Sequence, residues 1–335
     1  MLTLNKLMKS EKGHWHSESI DTLPETNDLD SILWVDAEDP TEQEVQQLKN
    51  YFKTNSLDLK ELNLEGRRSK IEEFEDNVSC FVRFPDLEQF VPQAKTNWLF
   101  ITANKTALLS IHQGRSDITC EIYKKISTHG YAALSLEPSS EILLYIFLDL
   151  ITNECFSVSD LIHESLQNLS QKAATQFRQR ISQSNQSVGL ELGKSRTQVL
   201  SMRQLIRPLR EVVGKIARGE FAIVSAVTLS RFEDLYDRTI SLIDVVDSHR
   251  EEIQDIANIL INVQTVTTNN IVRVLTIISA IFLPLSLIAG IYGTNFGNGF
   301  FTPGSNNASG FYAMIAVMAT IALTLIAVFR RKGWL

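Results

Sequence analysis

From Val274 to Phe329 the chain carries no Asp, Glu, Lys or Arg, although 21% of its 335 residues are charged. Two apolar runs of 19 residues lie inside this stretch, Val274–Tyr292 and Phe311–Phe329, separated by a Gly/Asn/Ser-rich loop. A 19-residue helix rises roughly 28 Å, close to the ~30 Å hydrocarbon thickness of a bilayer. Arg273 closes the first run, and Arg330, Arg331 and Lys332 close the second, so both basic flanks fall on one side of an uncharged loop. The positive-inside rule then predicts cytoplasmic termini and an outward-facing loop. A hairpin buried in a soluble core is the competing reading. The stretch predicts a two-span membrane protein.

The first run also bears a polar stripe. Stepping back from Gly290 by three or four residues gives Ser286, Leu283, Ser279, Thr276, Val272 and Asn269, which is helical spacing. Small and polar groups thus share one face, interrupted by Leu283 and Val272, and Asn295 lies just past its outer end. In lipid such a face is covered by another helix or lines water. Packing through small residues and a pore made by several copies of this helix are both open at this level.

The net charge of −7 argues against nucleic acid as a partner. Cys80, Cys120 and Cys155 are odd in number and widely spaced, so reduced thiols in a cytosolic domain are expected. No apolar segment opens the sequence, so no cleaved signal peptide is expected and the hairpin must target the chain. No Gly-rich phosphate loop, G-x-S-x-G or H-E-x-x-H occurs, and an enzyme is not expected. His14 and His16 flank Trp15, but two His at that spacing without a third ligand read as incidental.

Residues 1–30 are polar and irregular and predict a weakly ordered lead-in. Residues 31–136 predict an α/β domain. "SILWVDAEDP" reads as a strand stopped by Pro40, and Thr41 with Glu44 has capping-box spacing before Val45, Leu48, Tyr51 and Phe52 on one helical face. "SKIEEFEDNVSCFVRF" reads as two strands broken near Glu75–Asn77, and "NWLFITANKTALLSIHQ" as two more joined at Asn104-Lys105. Residues 137–219 predict paired helices, broken around Ser182–Ser187, with Pro208 marking a kink. Residues 220–292 predict one stalk helix continuing into the first span, with Phe232, Leu235, Leu242, Val246, Ile253, Ile256, Leu260 and Val263 as its apolar stripe. A stripe this long predicts copies packed around an axis. Residues 293–310 form the outer loop, 311–329 the second span and 330–335 a basic tail.

Residues Thr268–Phe296, "TNNIVRVLTIISAIFLPLSLIAGIYGTNF", resemble the inner helix of the CorA family of divalent-metal transporters. That family is marked by a Gly-Met-Asn triplet after Tyr; here Gly293-Thr294-Asn295 follows Tyr292. Thr294 replaces the usual Met, and the loop lacks the acidic residue many members carry after the triplet. "WVDAEDPTEQE", "RRSKIEEFED" and "CFVRF" also resemble the family's cytosolic domain. The resemblance implies a CorA-like fold: an α/β cytosolic domain, a long helical stalk and two C-terminal transmembrane helices. It further implies a homopentamer in the cell (inner) membrane that imports Mg2+, with Co2+ and Ni2+ as surrogates. Gly293, Thr294 and Asn295 would form the selectivity filter, with Thr294 adding a hydroxyl or merely packing. Asn269, Thr276, Ser279, Ser286 and Gly290 would line the pore, and Val272, Leu275 and Leu283 would constrict it. Arg330, Arg331 and Lys332 would form a basic collar or anchor lipid headgroups. The resemblance also implies an inter-subunit regulatory metal site that closes the channel, placing Asp234 on the stalk opposite Asp86 or Glu88. A ZntB-like Zn2+ transporter and a non-conducting membrane scaffold are the alternatives.

Overall fold

The computed structural model describes residues 2–9, 15–20, 23–24, 31–54, 67–74, 77–114, 116–127, 139–179, 185–293 and 308–334. They fall into two compact units, one of residues 1–172 with 186–257, the other of 173–185 with 258–335.

In the first unit, seven strands form one mixed sheet in the order β2-β1-β3-β7-β6-β5-β4. These are β1 (Leu2–Lys9), β2 (Trp15–Ile20), β3 (Ser31–Glu38), β4 (Lys70–Phe74), β5 (Asn77–Pro85), β6 (Thr96–Ala103) and β7 (Ala107–His112). Only the β3–β7 pairing is parallel among the strand pairs described. The β6–β7 hairpin turns at Asn104, whose Oδ1 accepts the backbone N–H groups of Thr106 and Ala107 at 3.0 and 2.8 Å. That Asx-type closure is why Asn suits the position.

The first 30 residues differ from the expectation. They supply β1 and β2, with β1 paired to both β2 and β3. Leu4 and Leu7 are buried, and between them the buried Asn5 donates to the Tyr123 hydroxyl at 2.8 Å. Lys6 stands where the Leu2–Leu4 alternation calls for an apolar residue and Leu7 falls on the other face, so the pattern from which a strand is read is lost.

One sheet face packs on α1 (Glu42–Phe52), whose Val45, Leu48 and Phe52 join Leu33, Val35 and Phe100 in the core. The capping box is present: Thr41 Oγ1 accepts from Glu44 N, and Glu44 Oε2 accepts from Thr41 N. Beyond a short turn, α2 (Phe90–Gln93), come α3 (Asp117–Ser127) and α4 (Ser140–Gln179). Trp34 stacks on Tyr123 of α3 at 4.3 Å between centroids and meets Phe147 of α4 edge-on. Cys80 and Cys155 are buried and Cys120 half-buried, and no disulfide joins them; burial pushes the thiols of Cys80 and Cys155 up, which makes them inert.

Helix α5 (Asn185–Ala217) runs through Pro208, and α6 (Ala226–Gly293) through Pro284. Between them Gly219, at φ +69°, closes a Schellman motif: its N–H bonds Ile216 O and that of Glu220 bonds Lys215 O. The long helix therefore begins at Ala226 rather than 220. Ser225 caps it, and the Ser225 N–H and hydroxyl both donate to Glu141 at the start of α4. Along α6, Phe232, Leu235, Leu242, Val246, Ile253, Ile256 and Val263 are buried, as the stripe predicted; Leu260 is half-buried. Arg238 grips both Asp149 and Asn153 of α4.

Three described helices are long and apolar enough to cross a membrane. Ser140–Thr175 of α4 has mean hydropathy 1.5 and 67% of its apolar window is buried, so it is a core helix. The C-terminal part of α6 and α7 (Ala308–Arg331) reach 2.4, with 6% and 0% buried. Apolar surface left bare on that scale needs lipid or other copies.

Candidate functional site

At about 100° per residue, Asn269, Val272, Leu275, Thr276, Ser279, Leu283, Ser286, Gly290 and Gly293 fall within a sector of roughly 120° on α6. All nine are exposed within one chain. On the opposite side lie less exposed residues, Ile277, Pro284 and Ile288 among them. The sequence periodicity thus becomes one continuous helical face, because no break interrupts α6 from Ala226 to Gly293.

The Thr276 hydroxyl donates to the Val272 carbonyl at 2.7 Å, and Thr265 likewise to Ile261. With the proton spent inside the helix, what each hydroxyl offers outward is oxygen lone pairs. A Cβ built at Gly290 or Gly293 would meet nothing within 4 Å, so nothing within one chain requires glycine at either position. Thr294 and Asn295 lie outside the described residues, as does His14.

The C-terminal helix ends in a second Schellman motif. Gly333 (φ +69°) donates to Arg330 O, Trp334 N–H to Phe329 O, and the Phe329 and Trp334 rings stack at 5.8 Å. Arg330 and Arg331 sit in the last turn, where the helix dipole favours cations, and with Lys332 they are exposed.

Asp86 and Glu88 share a cleft of about 380 Å³ in the first unit. The Asp86 Oδ1 accepts the backbone N–H groups of Glu88 and Gln89, and its Oδ2 lies 3.7 Å from Lys95 Nζ. Two further acids line the cleft that sequence reading missed, Asp117 of α3 and Glu154 of α4. Burial, together with the negative charges of Asp117, Asp86 and Glu121, outweighs a hydrogen bond from the Leu87 backbone and holds Glu154 up at about 7. An acid inside the apolar run of α4 was the available signal, though Asp149 shares that run. Asp234 is exposed on α6 and does not line this cleft. A set of carboxylate oxygens suits a hard divalent cation, so the residues present fit an ion of that kind.

A mixed-sheet domain, a single helix running on into an uncharged span and a second helix uncharged up to its last turn have the build of a membrane transport protein. The family is specific: the model described as "CorA-like Mg2+ transporter protein" matches residues 30–331, and the chain belongs to that family of transporters, which are not enzymes. The chain is 28% identical over 304 residues to the cobalt/magnesium transport protein CorA of Methanocaldococcus jannaschii, covering 91% of this chain and 92% of that protein. The complete structure of the CorA magnesium transporter from that organism superimposes with a TM-score of 0.80 at 24% identity, over 99% and 98% of the two chains. The ZntB cytoplasmic domain from Vibrio parahaemolyticus shares the fold at a TM-score of 0.59 and 13% identity, covering 79% of this chain and 98% of that one. The CorA-like fold expected from the resemblance is the fold found.

Proposed function

We propose that the chain is a homopentameric channel that takes divalent cations, above all Mg2+ and also Co2+ and Ni2+, into the cell across the inner membrane. The observation that carries this reading is the exposed face of α6 from Asn269 to Gly290, and Asn295 follows it in the sequence. Copies arranged with this face inward enclose a path of hydroxyl and amide oxygens. Mg2+ gives up water reluctantly, and neutral oxygens contact its hydration shell without stripping it. Gly293, Thr294 and Asn295 form the entry filter, and Val272, Leu275 and Leu283 form apolar constrictions that gate by dewetting. Both termini are cytoplasmic, and Arg330, Arg331 and Lys332 form a collar at the inner leaflet.

A divalent ion moving inward gains roughly 4.6 kcal/mol per 100 mV, at ~2.3 per charge, so the potential alone drives uptake. Cytosolic metal closes the channel by bridging Asp234 of one copy to the Asp86/Glu88 cleft of another. Empty, these carboxylates repel; bridged, they hold the closed state. The substitution of Thr294 for Met and the uncharged outer loop favour a second reading, Zn2+ transport of the ZntB kind.

Flux into liposomes read with Mg2+- and Zn2+-sensitive dyes, beside Asn295→Ala, tests this. Mg2+ entry driven by an inside-negative potential and lost in N295A is the expected result. Zn2+ entry with little Mg2+ establishes the second reading, and no flux of either ion leaves a scaffold.

A further inference from the structure

In the first unit, α4 and α6 bring together three side chains that neither the pore nor the acidic cleft uses. His163 and Glu252 lie with Nδ1 and Oε2 3.6 Å apart. His249 completes the group: its ring stacks on that of His163 at 5.5 Å between centroids, and one donor atom from each of the three residues lies within 4.8 Å of the others. The four-residue stretch from His249 to Glu252 puts two donors on one face of α6 by i, i+3 spacing, and α4 supplies the third.

We propose that this seam binds a transition-metal ion of the Zn2+, Co2+ or Ni2+ class on His163, His249 and Glu252. Two imidazoles and one carboxylate are the donor set of three-ligand zinc centres, with a fourth position left to water. Bonds of about 2.0–2.2 Å in a tetrahedral centre put donors roughly 3.4 Å apart, which the His163–Glu252 pair at 3.6 Å nearly meets, and side-chain rotation supplies the rest. The entry path is open: His249 is 4% exposed, whereas the His163 side chain is 49% exposed and that of Glu252 29%.

The surroundings support the assignment. Imidazole ligands are oriented by what their other nitrogen bonds. His249 Nε2 lies 3.0 Å from Ser159 Oγ, and His163 Nε2 lies 2.8 Å from the Gln167 side-chain amide. A half-turn of that amide presents its oxygen to an Nε2 proton and leaves Nδ1 free beside Glu252. Burial and then the neighbouring His163 hold His249 below its ordinary range, which keeps it in the neutral form that ligates. Nitrogen donors discriminate against Mg2+, which prefers oxygen, so the site stays specific in the presence of that ion. The proposal does not depend on what the pore conducts.

The full chain, purified in detergent and stripped with a chelator, is titrated with Zn2+ against a chromophoric competitor in excess Mg2+. His163→Ala changes an exposed residue and Glu252→Gln keeps its shape, so both variants preserve the fold, verified by circular dichroism. One tight Zn2+ per chain is expected, weakened on the order of 10–100-fold or more in either variant. Co2+ in its place should give visible ligand-field bands that H163A loses, and Zn2+ should raise the melting temperature of the wild type but not of H163A. Equal Zn2+ affinity in wild type and both variants overturns the proposal, as does displacement of Zn2+ by Mg2+. Binding is read without flux, so failure of the transport reading leaves this result intact.

Discussion

Glu154 is the residue on which pH and metal should meet. Its folded value near 7 lies above the ordinary 4.5, so the folded state holds the proton more tightly than the unfolded chain. Its contribution to stability is therefore greatest below about 4.5 and is lost as pH rises to about 7. Glu154→Gln should flatten that decline, measured as melting temperature against pH in the absence of divalent ions. Mg2+ entering the cleft favours the carboxylate, so adding it near pH 6 should release protons from the wild type and fewer from E154Q. An unchanged pH slope in the variant would show that the cleft does not hold Glu154 protonated. Little of this was legible in the sequence. Asp86 and Glu88 could be picked out after the "CFVRF" strand, but Asp117 and Glu154 reach the cleft only through the packing of α3 and α4 on the sheet.

Among the elements, α5 and α6 approach closely at Gly214. A Cβ there would come within 2.8 Å of the Tyr236 ring, whereas at Gly193, on the same helix, it would meet nothing within 4 Å. Gly214→Ala should cost about 1–3 kcal/mol from overpacking, less the ~1 kcal/mol that Ala gains over Gly in a helix. Gly193→Ala should instead stabilise by about 0.5–1 kcal/mol. Thermal melts of the two variants moving in the same direction would contradict the close approach. The elements differ in how far the local sequence declares them, for physical reasons. Thr41 with Glu44, the Asn104 turn and the stripe of α6 declare themselves because their determinants lie within one turn or one periodic face. The start of α6 at Ala226, rather than the expected 220, is set by a cap that ties Ser225 to Glu141, 84 positions away. Strands β1 and β2 carry little pattern of their own: pairing of β1 with β3 and of β2 with β1 makes them strands.

For the whole molecule, the test is whether the exposed face of α6 turns inward in an assembly. Ser279→Leu should cut Mg2+ flux on the order of tenfold or more by adding an apolar ring to the path. Ile278→Leu, exposed on an adjoining side of the helix, should leave flux unchanged. Equal flux from the two variants would place the path elsewhere. An oligomer is expected only from a stripe too long for one chain to cover, since periodicity carries no rotational order. The same uncharged stretch that first marked the membrane hairpin has an electrical consequence. Voltage sensors work by moving fixed charges through the membrane field, ~2.3 kcal/mol per charge per 100 mV. Between Val274 and Phe329 there is no charged side chain to move. A channel built from these helices has no gating charge: voltage sets the force on the permeating ion and leaves the open probability to chemistry.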